Sequence, residues 1–286
     1  MPSIKDLTIV NSNTADATKV DHGLLRTLCS PELCDSKNLT VYKRTVQKGK
    51  QYGLKAGKDY HLVYVMNNPS KAQVHYKGED HVVEEGAGVL LIPGDSARFE
   101  AAGSDVDLLH MVVPKPPVAV EDGLPGGPGY FFNRKTLRGL SDASGGRVRR
   151  FCAESSVRLT DGSRLTPTNA IQAGEMHYNA DGSSPYHLHK STPTNPDGTA
   201  HCYMTFKGRG KVEVADTSQE IEPGTLVYFP PGVPHRLRAH GGTLDYFEIQ
   251  AWRSFKTTIL SEEPLGLKWY YEREKPGAPL QEWNQS

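Results

Sequence analysis

Two twelve-residue segments of this chain align without a gap, Gly86–Ala97 (GAGVLLIPGDSA) and Gly224–His235 (GTLVYFPPGVPH). Gly86, Pro93 and Gly94 fall opposite Gly224, Pro231 and Gly232. Each segment is a short apolar run halted at a Pro-Gly turn, the pattern of a buried strand that must reverse direction. A chain carrying this unit in both halves is expected to build two related β-rich domains. Composition agrees, because 28 Gly and 20 Pro in 286 residues exceed the roughly 12% these two residues make up on average. So much turn punctuation disfavours long helices.

The remaining pattern reads the same way. Leu39–Gln47, Tyr60–Met66, Ala72–Tyr76, His81–Val83, Gly88–Ile92 and Asp105–Val113 predict strands, with a hairpin at Lys77-Gly78-Glu79-Asp80. A second series covers Thr168–Tyr178, His187–His189, His201–Phe206, Lys211–Ala215, Thr225–Phe229, His235–Ala239 and Thr243–Trp252. Between them Glu121–Gly129 and Ser141–Arg147 read as loops, and Phe131–Leu140 as a short helix. Strands at this spacing predict an all-β chain of sandwich or barrel type.

Charge narrows the partners. Lys+Arg and Asp+Glu both number 33, and the zero net charge argues against a nucleic-acid footprint or a polybasic membrane surface. No apolar run approaches the ~18 residues of a membrane-spanning helix. The opening MPSIKDLTIV lacks the charged and apolar regions of a secretory signal. The expectation is a cytoplasmic protein whose Cys29, Cys34, Cys152 and Cys202 stay reduced.

Chemistry concentrates in the second half. His187 and His189 form His-Leu-His after a turn rich in Gly, Ser and Pro, and residues i and i+2 of a strand share a face. His201 follows, with six residues between it and Gly208, and the Pro230-Pro231-Gly232 turn returns the chain to His235. An H-x-H pair, a polar residue separated from Gly by six others, and G-x5-P-x-G-x2-H together resemble the two signature motifs of the cupin superfamily. The second motif matches at each of these positions from Gly224 to His235.

The resemblance implies two β-barrel or jelly-roll (double-stranded β-helix) cupin domains over roughly residues 36–258. The divisions expected are an N-terminal extension over 1–35, a degenerate cupin domain over 36–115, a linker over 116–150, a metal-binding cupin domain over 151–258, and a tail over 259–286. It also implies a divalent transition metal held by His187, His189, His201 and His235, with His201 where the family places Glu. The gap from His189 to His201 is longer than the family's, which inserts the loop Lys190–Ala200. In the first domain Ala97 stands opposite His235 and no H-x-H precedes His61, so that domain is expected to have lost its metal site, with His61 a core histidine.

Imidazoles suit Fe(II), Zn, Ni, Mn or Cu rather than Mg or Ca, and Fe(II) is favoured. Neutral ligands leave the full charge on the ion, which favours an anionic small-molecule substrate. Strand parity puts Tyr203 on the face of His201, and Tyr186 lies near the first motif; both are candidate proton donors. On the last strand Tyr246, Glu248, Gln250 and Trp252 share one face and Phe247, Ile249 and Ala251 the other. A barrel core ordinarily takes the apolar set; if the polar set turns inward, Glu248 and Gln250 become acid–base or substrate-orienting groups.

The leading expectation is an Fe(II) dioxygenase acting on a small carboxylate, enol or aromatic. The alternatives are a non-redox isomerase, lyase or cyclase, and a ligand-binding cupin without catalysis. A homodimer is expected, since dimers are common among proteins of this resemblance.

Overall fold

Alternation decides which segments become strands. In the computed structural model, Tyr52 and Leu54 are buried while Gln51, Gly53 and Lys55 face water, the period-2 pattern of a half-buried strand. The structure describes residues 2–121, 127–137, 139–142, 147–155, 165–166, 168–252 and 256–260. Of the tail expected over 259–286, residues 261–286 lie outside them.

The chain opens with β1 (Thr8–Asn11). It continues through β2 (Thr18–Val20), β3 (Gly23–Cys29), β4 (Thr40–Val46), β5 (Gln51–Lys55), β6 (Tyr60–Val65) and β7 (Ala72–Tyr76). Then follow β8 (Glu79–Val82), β9 (Ala87–Leu91), β10 (Ser96–Ala101), β11 (Val106–Val113) and β12 (Tyr130–Asn133). The second series is β13 (Leu140–Asp142), β14 (Arg147–Ala153), β15 (Ile171–Tyr178), β16 (His187–Lys190) and β17 (Ala200–Val214). It closes with β18 (Thr217–Ile221), β19 (Thr225–Phe229), β20 (Arg236–Ala251) and β21 (Lys256–Ile259). Among the described residues helix is confined to single turns such as Pro31–Cys34 and Val118–Glu121. No helix of the described residues is long and apolar enough to cross a membrane.

Contacts divide the described residues into two units. One lies within Asn11–Lys115 and Gly127–Leu137, the other within Met1–Val10, Pro116–Gly126 and Arg138–Ser286. The N-terminal unit has a seven-stranded sheet ordered β12-β9-β6-β11-β4-β3-β2 and a four-stranded sheet β5-β10-β7-β8. Its core, including Val63, Val65, Val74, Val89, Leu91 and Phe99, is buried. The C-terminal unit has a sheet ordered β1-β19-β17-β20-β15-β14-β13, with β18 paired to β17, and a separate pair β16-β21. Its core includes Met176, Tyr178, Tyr203, Phe229 and Tyr246. The described chain is an all-β fold of two units.

Several boundaries differ from those the sequence suggests. The first 35 residues supply β1, β2 and β3, and the 116–150 segment supplies β12, β13 and the start of β14; both stretches are sheet-forming. Phe131–Leu140 is not a helix. Tyr130–Asn133 pairs with β9, a 3-10 turn covers Arg134–Thr136, and β13 begins at Leu140. An aromatic run beside an open strand edge gains ladder hydrogen bonds that a short isolated helix cannot match. Strands β17 and β20 each run through glycines that the sequence suggests as breaks, with register shifts at Thr205/Lys207 and Gly208/Gly210. At Gly208 φ is +77° and a Cβ would meet the Thr243 carbonyl oxygen at 1.9 Å, so only glycine lets the strand continue there.

The two units repeat one ladder. His61 pairs with Leu91 on β9 and Val112 on β11, and His201 pairs with Phe229 on β19 and Gln250 on β20. One step further along, Val63 faces His110 and Tyr203 faces Glu248. His61 is therefore the counterpart of His201, and His110 that of Glu248.

Candidate metal centre

The first motif is presented by β16, where His187 and His189 are buried and Leu188 between them is only half-buried. The second motif brings His235 opposite. His187 N–H donates to the His235 carbonyl at 3.0 Å, and His235 N–H returns the bond to His187 at 2.7 Å. Such a doubly bonded antiparallel pair fixes the two side chains side by side. The Pro-Pro-Gly turn clamps the same strand, with Gly232 N–H donating to the His189 carbonyl at 2.8 Å. Gly232 has φ +82°, the left-handed conformation this turn requires.

Candidate ligand nitrogens of His187, His189 and His235 lie within 4.8 Å of one another. His187 Nδ1 sits 2.7 Å from the Pro185 carbonyl oxygen and His235 Nδ1 2.9 Å from that of Val233. A carbonyl only accepts, so both Nδ1 atoms carry the proton and both Nε2 atoms keep a lone pair. His189 Nδ1 is 3.1 Å from Thr257 Oγ1 on β21. The His235 Nε2 is buried with no hydrogen-bond partner, a costly arrangement for an apolar core and the one a metal ligand needs. Outer hydrogen bonds of this kind fix tautomer and ring orientation at metal sites. The residues present therefore fit a divalent transition ion bound by three imidazoles.

Burial keeps these rings neutral. It pushes the His187 pKa down to about 4, aided by the charges of His201 and Arg147 against the opposing Pro185 carbonyl and Glu248. Burial first, then the neighbouring histidines, holds His189 and His235 well below the ordinary imidazole value. The site thus offers lone pairs at neutral pH without first losing protons.

His201 lies beside this trio but is not in it. Its ring centroid is 4.6 Å from that of His189 and 5.1 Å from that of His235. Its Nε2 is 3.1 Å from Glu248 Oε1, and its Nδ1 is buried without a hydrogen-bond partner. Gln250 Nε2 donates to the same carboxylate oxygen at 2.9 Å. Burial works to raise the Glu248 pKa, but the hydrogen bond and charge of His201, with Arg147 and Arg149, bring it below its usual value. The polar face of β20 is turned inward, and Phe247, Ile249 and Ala251 on its other face are buried as well.

Tyr203 packs its ring 4.6 Å from His201 and 4.9 Å from Phe229. Burial, reinforced by Glu248, pushes its hydroxyl pKa well up, so the phenol stays protonated. Tyr186 is used elsewhere: its hydroxyl accepts from Ala215 N–H at 2.6 Å, at the β17–β18 turn. The inserted loop is tied to the end of β20, where Asn195 Nδ2 and Thr199 Oγ1 both donate to the Trp252 carbonyl.

Sequence reasoning passed over Arg147, Arg149 and Thr257. The two arginines fall where a linker was expected, and a charged run ordinarily reads as a solvated surface. Thr257 carries no motif at all; only the β16–β21 pairing, which sets it opposite His189, reveals it.

Residues 174–249 match the Cupin domain family, a span that holds the whole histidine cluster. Among solved structures, the chain is similar to a putative glyoxylate-induced protein from Pseudomonas aeruginosa. The two share 11% identity over 91% of this chain and 94% of that one, with a TM-score of 0.69. A Lactobacillus farciminis oxalate decarboxylase in complex with formate matches at 14% identity, over 88% of each chain, with a TM-score of 0.63. A mutant of Bacillus subtilis oxalate decarboxylase matches at 14% identity over 88% of this chain and 79% of that one, with a TM-score of 0.61; Mn(II) centres are described in that enzyme. No curated protein matches the chain by sequence.

Proposed function

From a cupin domain over residues 174–249 within a chain of two-barrel cupin fold, we propose that the C-terminal unit is a metal-dependent enzyme. Its reaction in this reading is Fe(II)-dependent oxygenation of a small carboxylate, enol or aromatic. One observation carries the proposal: three buried imidazoles converge to within 4.8 Å while the fourth, His201, is engaged by Glu248. Three neutral ligands leave open coordination positions for substrate and dioxygen together, whereas a fourth would have removed one. Bound there, the ion would supply a Lewis acid and a one-electron donor.

The chain's own residues supply the rest. His201 Nε2–H donates to the Glu248 carboxylate, which fixes the ring, and the two together form the acid–base pair of the site for an enol or hydroxy acid. Gln250 steadies the same carboxylate oxygen. Tyr203, kept protonated by burial, is a hydrogen-bond donor for a developing oxyanion. Arg147, close enough to bias the titration of His187 and Glu248, adds positive potential that suits an anionic substrate. The four buried free thiols are consistent with a reducing, cytoplasmic setting.

A second reading is a non-redox lyase that decarboxylates a small acid. The likeness to oxalate decarboxylases favours it, although at 14% identity that likeness speaks for the fold rather than the reaction. Elemental analysis of the purified chain, paired with oxygen-electrode assays on a panel of small hydroxy, keto and dicarboxylic acids, separates the two. Iron with substrate-dependent oxygen uptake, abolished by His187→Ala, supports the oxygenase. Manganese or zinc with carbon dioxide release and no oxygen uptake overturns it in favour of the lyase.

A further inference from the structure

The N-terminal unit contains a cation without a counter-charge. Arg44 on β4 pairs with Leu108, and Leu108 with Val65. Both neighbours belong to the unit's hydrophobic core, so the Arg44 stem enters from the core face of the sheet. Its guanidinium carbon lies 5.0 Å from the Tyr42 ring centroid and 4.7 Å from that of Tyr52. Its Nε donates to His110 Nδ1 at 2.9 Å. No ion pair or hydrogen bond among the described residues engages its two terminal nitrogens.

That single bond orders everything behind it. An Nε–H only donates, so His110 accepts at Nδ1 and carries its proton on Nε2, 2.9 Å from His61 Nδ1. His61 in turn holds its proton on Nε2, 3.2 Å from the Ala56 carbonyl oxygen. Every ring nitrogen of the pair is used, and burial keeps both rings neutral. The relay therefore fixes the guanidinium by its inner edge and provides no negative charge to balance it.

On the other side stands His22, at the tip of the β2–β3 hairpin, where its carbonyl accepts from Gln47 N–H at 2.9 Å. Its ring lies 4.5 Å from that of Tyr52, and its Nε2 is buried with no hydrogen-bond partner. Arg44, Tyr42 and His22 are half-buried, so the terminal nitrogens border solvent. A half-buried guanidinium fixed by one edge and walled by aromatic faces, with the His22 ring against the same Tyr52 and within reach of its charge, is a receptor for an anion.

We propose that Arg44 and His22 form an anion site in the N-terminal unit, and that its ligand is a small organic carboxylate. The planar fork of the two terminal nitrogens matches a carboxylate in bidentate fashion, His22 supports the Tyr52 ring on which the guanidinium lies, and the rings of Tyr42 and Tyr52 border the fork. This site is separate from the histidine trio and needs no metal.

Calorimetric titration of the full-length, metal-loaded chain with benzoate and with acetate tests the proposal. The same titration on a His235→Ala chain, disabled at the metal centre, assigns any binding to the correct unit. Saturable binding is expected in both proteins, and at a single site in the His235→Ala chain. Arg44→Met, which installs the residue found at the corresponding position 176, should weaken it at least about tenfold, the scale of a charge-assisted hydrogen bond. Arg44→Lys keeps the charge but loses the fork and should fall between, and His22→Ala should cost about three- to tenfold. Circular dichroism checks that each variant folds; if Arg44→Met does not, Arg44→Lys and His22→Ala carry the test. Absence of saturable binding in the His235→Ala chain, or Arg44 and His22 variants that bind as tightly as the unaltered chain, would overturn the site.

Discussion

The two units occupy the same barrel layer with opposite solutions. In the C-terminal unit His201 meets a carboxylate, Glu248, and beside them three imidazoles crowd together with the His235 Nε2 left unbonded. In the N-terminal unit the counterpart pair is His61 and His110, and both histidines spend both ring nitrogens on hydrogen bonds. There the positive charge is covalent: Arg44 stands at the ladder position that Met176 holds in the other unit. One barrel keeps its nitrogens open for an exchangeable cation, while the other carries a cation of its own and closes the nitrogens around it. What separates a metal site from a structural polar core is thus which ring nitrogens remain unspent.

The comparison breaks most sharply at His235. His235→Ala should lower metal affinity by at least about a hundredfold, beyond the usual cost of losing an outer-shell partner. His61→Ala should leave the metal content of the chain unchanged, and plasma emission spectrometry on both proteins checks the contrast. If His61→Ala strips the metal as well, the two units are not independent in this respect.

The converse variant acts on stability. His110→Ala removes the centre of the Arg44–His110–His61 string and should destabilise the N-terminal unit by about 2–4 kcal/mol, through unpaired buried groups and a cavity. Urea unfolding of the metal-loaded chain measures this, and the metal-to-protein ratio should not move. Thr257→Val tests the support behind His189: metal affinity should drop about tenfold in a chelator competition, with folding stability nearly unchanged.

Acid should act on both units in one direction. His187, His189, His235 and His110 are neutral in the native state with pKa values pushed down, while the unfolded chain binds their protons near pH 6.5. The stability of the metal-free chain is therefore full above about pH 6.5 and is lost as pH falls from there toward about 4. Replacing His187 by Gln should flatten that slope in chemical unfolding measured across this range. The smallest effect is expected from Ala97→His. It restores the missing motif position, yet metal per chain should not rise, because Gln51-Tyr52-Gly53 offers no imidazole and His61 is already committed.

Much of this was legible beforehand, for identifiable reasons. The motif from Gly224 to His235 encodes a strand, a turn and a ligand in one local stretch, so it survives without tertiary information. The spacing of His61 from Pro93 reproduces that of His201 from Pro231, and the shared pairing with Leu91 and Phe229 explains why. What stayed hidden depends on partners distant in sequence. Strand β10, Ser96–Ala101, alternates buried Ala97, Phe99 and Ala101 with polar residues, a faint signal until β5 and β7 flank it. The inward turn of Glu248 and Gln250 contradicts the usual apolar-inward preference and is decided by His201 on the neighbouring strand. Tyr186, a candidate by proximity, is drawn to the β17–β18 turn by an N–H no motif records.

The placement of β1 bears on how the molecule is made. Thr8–Asn11 lies at the sheet edge beside β19, and Leu7 joins the C-terminal core with Ile4 and Ile9 packed against it. These residues leave the ribosome long before their partner strand, and the whole N-terminal unit is synthesised in between. That unit can close on itself first, whereas the C-terminal barrel must wait for a segment from the other end of the chain to return. A nascent chain that folds its second barrel without β1 would leave β19, the strand leading into the ligand turn, as an unpaired edge open to pairing with another chain. The metal-binding barrel is therefore the late and aggregation-exposed part of this protein's biogenesis, and the barrel with the built-in cation is the early one.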